Sequence, residues 1–133
     1  MSPDLQVELD RAATGPITVD ITTTGRKSGE PRRIEIWVVK VGNRVVIGGT
    51  PRPRDWLANV RADPSMVVHF KERAVFDASA TAVEVTDPEV RREIWEHLST
   101  TWYRGQTPVE ELIATAPTVE LTFGHSELVF PGD

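Results

Sequence analysis

The chain has 133 residues, of which 39% are hydrophobic and 26% charged, with a formal net charge of -5 and no cysteine. One domain spanning 1–133 is expected, since a chain of this length buries about two thirds of its unfolded surface around a single core, and the composition excludes a disordered segment. The acidic balance argues against a general nucleic-acid binder, and the lack of cysteine excludes disulfides, thiolate metal centres and a thiol nucleophile.

In chain order, Ser2-Pro3-Asp4 reads as a helix start, with Leu5, Leu9 and Ala12 at helical spacing and Gly15-Pro16 as the stop. The sparse apolar face predicts an arm (1–15) lying on the surface of the fold. From Ile17 the period becomes two through Ile21, a half-buried strand that runs into Thr22–Arg33. Ile34–Val41 is a second strand, Gly42-Asn43 a hairpin turn, and Arg44–Ile47 the antiparallel return. Gly48-Gly49 permits a close backbone approach, and Thr50–Arg54 is a second basic loop ahead of a two-turn helix over 55–62. Trp56, Leu57, Ala58 and Val60 are expected to face inward, and Asp63-Pro64 stops the helix. Met66–Phe70 and Ala74–Val85 are the next strands. A helix is predicted from a Thr86–Glu89 capping box through Trp102, with Val90, Ile94, Leu98 and Trp102 as its stripe; a second box at Thr107–Glu110 opens a shorter helix. Val119, Leu121 and Phe123 alternate in a last strand, Gly124-His125 turns the chain, and Leu128-Val129-Phe130 closes it.

Six to seven strands joined by hairpins, with three to four short helices, predict an α+β fold: a mostly antiparallel sheet curled into a barrel over 16–133, helices outside. Met1–Thr14 lacks a basic start followed by an apolar run, and no stretch approaches the ~18 apolar residues of a membrane span. A cytoplasmic protein is expected.

The stretch T-T-T-G-R-K-S-G-E-P-R-R (22–33) holds Arg26, Lys27, Arg32 and Arg33, more charge than a hairpin needs. Gly25 and Gly29 allow the amides between them to converge on an anion, Ser28 adds a hydroxyl, and the cations add charge-assisted bonds. A solvated basic turn is the other reading of the same residues. Arg52 and Arg54 extend the anionic site or belong to ordinary surface chemistry. Trp56 caps a planar ring or fills the core, and Asn59 holds a ligand or local backbone. His69, His97 and His125 lack metal-ligand spacing, so no metal is expected. G-x-S-x-G, H-E-x-x-H and G-x-G-x-x-G motifs are absent. Trp95, Trp102 and Tyr103 crowd one helix, mostly as core, with Tyr103 at a pocket mouth.

The run Thr22–Arg32, the hairpin, Gly48-Gly49 and Trp56–Pro64, in that order, resemble the deazaflavin-dependent nitroreductase family. The resemblance covers about residues 17 to 85. It implies a split β-barrel related to the pyridoxamine-phosphate-oxidase-like flavoproteins, and the deazaflavin coenzyme F-420 held by its phosphate and polyglutamate tail. Arg26, Lys27, Ser28 and Gly29 would hold the phosphate region with Arg32 assisting. Ile36 and Trp37 would lie along the ring, and Gly48-Gly49 beside the tail. Trp56 and Asn59 would complete the groove, with Arg52 or Arg54 on the tail. The coenzyme would carry the hydride, so no catalytic side chain is assigned. Trp37, Trp102 and Tyr103 would line the acceptor pocket. Ile47 stands where the family commonly has lysine, Leu57 where it has tyrosine, and Tyr103 is the only tyrosine. The expected acceptor is therefore a quinone or other conjugated carbonyl ahead of a nitro compound. FMN on the same loop, or a non-catalytic carrier of the cofactor or a lipophilic ligand, are the alternatives; a homodimer is expected by analogy only.

Overall fold

Alternation of apolar and polar residues is cleanest in the first, fourth and fifth strands, and in the computed structural model, which describes residues 3–123, the inward faces of the strands close on one another. The strands are β1 (Ile17–Thr24), β2 (Pro31–Val41), β3 (Arg44–Gly48), β4 (Ser65–Phe70), β5 (Phe76–Glu84) and β6 (Thr118–Phe123). They form a closed barrel in the order β1-β2-β3-β6-β5-β4, every pair antiparallel. Val19, Ile21, Val38, Ile47, Val68 and Val119 fill the interior at no exposure. Ala78, Ala80 and Ala82 on β5 leave room for Phe70 and Phe123, the small-against-large packing that a tapering barrel needs. Ser2 and the Gly124–Phe130 turn and closing run lie outside the described residues.

Helix α1 (Pro3–Ala12) lies over the barrel with one face exposed, but docks more firmly than its sparse apolar face suggested. Leu5, Leu9 and Ala12 are at most 2% exposed and belong to the barrel core. Three inward residues suffice because the helix plugs the core, and an ion-pair chain fixes it there. Arg11 pairs with the buried Glu8 at 2.6 Å and with Glu72 at 2.9 Å, and Glu72 accepts the Thr18 amide. Helix α2 (Asp55–Ala62) covers another part of the same core with Trp56, Leu57 and Val60; Ala58 is only half-buried.

A second core lies on the outer face of β2 and β3. Val39, Val41 and Val46 pack there against Ile94 and Trp95 of α3 (Pro88–Glu96), Tyr103 of α4 (Thr101–Arg104), and Leu112 and Ile113 of α5 (Val109–Thr115). The single helix expected over 86–102 is thus broken. His97 takes an extended backbone (φ -72, ψ 152), its ring Nδ1 accepts the Ser99 amide, and a 3-10 turn (Leu98–Thr100) re-aims the chain into α4. Leu98 and Trp102 consequently leave the buried stripe, at 60% and 48% exposure. Neither predicted capping box forms: Asp87 caps α3 by accepting the Glu89 amide, and α5 starts after Pro108 without a side-chain cap. The five α-helices among the described residues exceed the three to four expected because this break makes two from one.

Arg91 is 8% exposed and donates to the carbonyls of Val85, Leu112, Ile113 and Ala116. It thereby satisfies the carboxyl end of α5 and ties it to α3. For the site, the decisive feature is β2: β3 pairs with it only from Val38 to Val41, so the segment from Pro31 to Trp37 pairs with β1 alone. One edge of that segment is left open.

Candidate functional site

The basic stretch is a tighter turn than expected. Thr22–Thr24 and Pro31–Arg33 pair across β1 and β2, leaving 25–30 as the connection. Gly25 is required because a Cβ there would sit 2.8 Å from Ser28 Oγ, and Gly29 because its φ is +72. The Gly25 amide donates to Glu30 O and the Gly29 amide to Gly25 O, both at 2.8 Å; the Glu30 amide donates to Ser28 Oγ. With these amides engaged inside the turn, the groups facing outward are chiefly side chains.

Asn59 of α2 holds the turn in place. Its Oδ1 accepts the Arg26 amide at 3.1 Å and Arg26 Nη1 at 2.9 Å, while its Nδ2 donates to Thr23 Oγ1 at 3.2 Å. At 4% exposure it lacks competing water, so its polar atoms are committed to local structure, the second of the two readings open from sequence. Arg26 also pairs with Asp55 at 3.3 Å. Lys27 and Arg32 are different: both are exposed, neither forms an ion pair among the described residues, and Arg32 bonds only the Ser28 hydroxyl at 3.3 Å.

These groups line a cavity of about 510 Å³ between the turn, β2 and α2. Arg26, Lys27, Ser28 and Arg32 stand on one side and Trp56 and Asn59 on the other, with Ile34 between them. Trp56 is 6% exposed, so it is core and cavity wall at once. A second cavity of about 300 Å³ follows along the same strand, lined by Ile36, Trp37, Gly48, Gly49, Arg52 and Arg54, with Glu35, Thr50, Trp102 and Tyr103. Two neighbouring cavities along one open strand edge thus take in twelve of the thirteen residues expected to hold the coenzyme, and all three expected around the acceptor. Gly29 is the exception, since it lies on the other side of the turn against Thr22, Thr24, Ser65 and Val67.

The second cavity has an aromatic wall. Trp37 meets Trp102 edge to face at 4.9 Å and Tyr103 at 6.0 Å, and Trp95 backs Tyr103 at 5.3 Å. Burial, opposed by Arg54, pushes the Tyr103 phenol up to about 12, so it stays a donor at neutral pH. Gly48 serves packing here, not only passage: a Cβ would lie 2.4 Å from Pro117 O and 3.2 Å from the Trp95 ring. Arg104 was missed by sequence reasoning. It donates to the Trp95 and His97 carbonyls at 2.7 and 2.9 Å, clamping the break that presents Trp102 and Tyr103. An arginine just beyond a run of aromatics was its only sequence signal.

Barrel order and strand directions give the fold of the pyridoxamine-phosphate-oxidase-like split barrels. The model of the F420H(2)-dependent quinone reductase family matches residues 5–113, and the chain belongs to that family. It is an F420-dependent reductase. Among solved structures it resembles an F420-H2-dependent reductase, FDR-A, at 25% identity and TM-score 0.57, over 80% of this chain and 93% of that one. A pyridoxinephosphate oxidase family protein of Clostridium acetobutylicum superposes at TM-score 0.62 with 15% identity, over 90% and 82% of the two chains. A chain solved as a domain-swapped dimer matches at TM-score 0.59 and 23% identity, over 90% and 94%. No helix among the described residues is long and apolar enough to cross a membrane.

The residues present fit such a coenzyme. A phosphate and a polyglutamate tail are polyanionic, and the first cavity offers two cations with no acid partner beside a hydroxyl donor.

Proposed function

We propose that the protein reduces a planar, hydrophobic acceptor, a quinone or other conjugated carbonyl, with reduced coenzyme F-420 lying along the open edge of β2. The observation that carries this is the pairing of the two cavities. The first is cationic, with Lys27 and Arg32 unpaired, and the second is aromatic, and adjacent residues of one strand line both. The bound coenzyme supplies a hydride.

Lys27, Arg32 and the Ser28 hydroxyl bind the phosphate and tail, while Arg26, fixed by Asn59, holds the turn that carries them. Ile36 and Trp37 flank the ring. The Trp37–Trp102–Tyr103 wall positions the acceptor and keeps water from one side of it. The Tyr103 hydroxyl remains protonated and serves as a hydrogen-bond donor to an acceptor oxygen. A homodimer accords with the structural neighbour solved as a domain-swapped dimer, and sedimentation tests for it.

Parallel fluorescence titrations with oxidised F-420 and FMN test the coenzyme, and turnover of menadione with reduced F-420 tests the reaction. Micromolar F-420 binding with turnover is expected. FMN binding without F-420 binding would overturn the coenzyme assignment, and F-420 binding without reduction of any quinone would leave a carrier.

A further inference from the structure

The second cavity holds a cation that neither packing nor the phosphate site explains. Arg54, at the start of α2, turns its guanidinium back over the Gly48–Thr50 backbone, and Nη2 donates to Thr50 O at 2.7 Å and Thr50 Oγ1 at 3.3 Å. Its Nε is buried without a partner, and the residue forms no ion pair among the described residues. Gly49 is shaped to this side chain, since a Cβ there would lie 2.7 Å from Nη2. Burial, and then repulsion from Arg52, lowers the Arg54 pKa, as expected of a cation without a counter-charge. Arg52 is exposed at the rim and likewise unpaired. The one acid on the lining, Glu35, is bound to Lys71 at 2.6 Å.

A partly buried guanidinium facing a second cation is unfavourable in the empty protein, and an anion entering the cavity would relieve it. Across the cavity, Trp37 and the 48% exposed Trp102 offer ring faces and edges. We propose that the acceptor pocket selects planar aromatic acceptors bearing an ionised acid group, carboxylate or sulfonate, seated on Arg54 with Arg52 at the rim and the rings against Trp37 and Trp102. This rests on the reading of the second cavity as the acceptor side. It makes the pocket's preference anionic rather than simply lipophilic.

The test compares 1,4-naphthoquinone with 1,4-naphthoquinone-2-sulfonate in wild type, Arg54→Gln and Arg54→Lys. Binding to the coenzyme-free protein is read by tryptophan quenching, turnover by oxidation of reduced F-420, and coenzyme affinity by separate titration. Each quinone is compared only with itself between variants, so its intrinsic potential cancels. Arg54→Gln should weaken sulfonate binding about 10-fold or more and leave the neutral quinone within about 2-fold, while Arg54→Lys retains most of the preference. In wild type, added salt should weaken the sulfonate and not the neutral quinone, a readout that needs no variant to fold. Equal losses for both quinones, or a salt-independent sulfonate, overturn the proposal. So does an F-420 affinity that falls about 10-fold in Arg54→Gln with the quinone ratio unchanged, which would assign Arg54 to the coenzyme tail. Because quenching requires no coenzyme, Arg54-dependent sulfonate binding in a protein that fails to bind F-420 would refute the coenzyme reading and leave this one standing.

Discussion

Asn59→Ala removes the buried side chain that, together with the Arg26–Asp55 pair, ties the basic turn to α2. Three hydrogen bonds are lost: Arg26 N at 3.1 Å, Arg26 Nη1 at 2.9 Å and Thr23 Oγ1 at 3.2 Å. The two neutral bonds are worth about 1 kcal/mol each, and the charged one lies at the low end of about 1.5–3 kcal/mol because Arg26 can turn to water. The sum, about 3.5 kcal/mol, is a large part of the ~5–15 kcal/mol that holds a domain of this size together. Urea unfolding followed by tryptophan fluorescence should show a lower midpoint with an unchanged slope, and F-420 binding should weaken as the turn loosens. Asn59→Asp separates the two effects. It keeps the acceptor for Arg26 and should recover stability to within about 1 kcal/mol, but it sets a carboxylate against the anionic ligand and should not recover binding. The reasoning fails if Asn59→Ala unfolds within about 0.5 kcal/mol of wild type and binds F-420 normally.

Lys27→Ala and Arg32→Ala should each weaken F-420 binding by about 1.5–3 kcal/mol, with little change in melting temperature, since neither pairs with an acid; isothermal titration at two salt concentrations reads both. Gly48→Ala forces a methyl to within 2.4 Å of Pro117 O and should cost about 1–3 kcal/mol in thermal unfolding through displacement of Trp95. Arg91→Met strands four buried carbonyls and should cost about 3–5 kcal/mol, read by the same melt. Hydrogen bonds from Lys71 and Arg33 lower the Asp20 pKa, and one from Arg61 lowers that of Glu84. Their contribution is complete above the unfolded carboxylate values near ~4 and is lost as pH falls through the lower folded values, so stability should be level from neutral pH to about 5 and decline below ~4.

The strands were legible because β1, β4 and β5 keep period-two alternation while β2 and β3 carry short β-branched runs, and Gly42-Asn43 and Asp63-Pro64 marked boundaries with residues that leave the chain few alternatives. Closure into a barrel followed from hairpin spacing. The break after α3 was not legible, because Val90, Ile94, Leu98 and Trp102 keep helical spacing straight through it. Side-chain contacts across the bend hold it: Arg104 on the Trp95 and His97 carbonyls, Thr100 on the Ile94 carbonyl, and the Ser99 amide on the His97 ring. The inward face of α1 was undervalued for a related reason: three apolar residues look sparse until their target is the open end of a barrel. At the site, residue identity pointed to an anion, but the division of labour depended on partners that sequence does not reveal. Asn59 and Arg26 turn inward to build the turn, and Lys27 and Arg32 are left to bind.

That division follows from the short reach of β3. Had β3 paired along all of β2, the edge from Pro31 to Trp37 would be covered and neither cavity would exist. Gly48 ends β3 because its backbone must pass the Pro117 carbonyl and the Trp95 ring, and Gly49 then lets the Arg54 guanidinium fold back where the strand would have continued. The two glycines therefore do more than admit a ligand. They stop a strand, open its neighbour's edge and place a cation at the opening, so substitution at either position should alter the second cavity even where the basic turn is untouched.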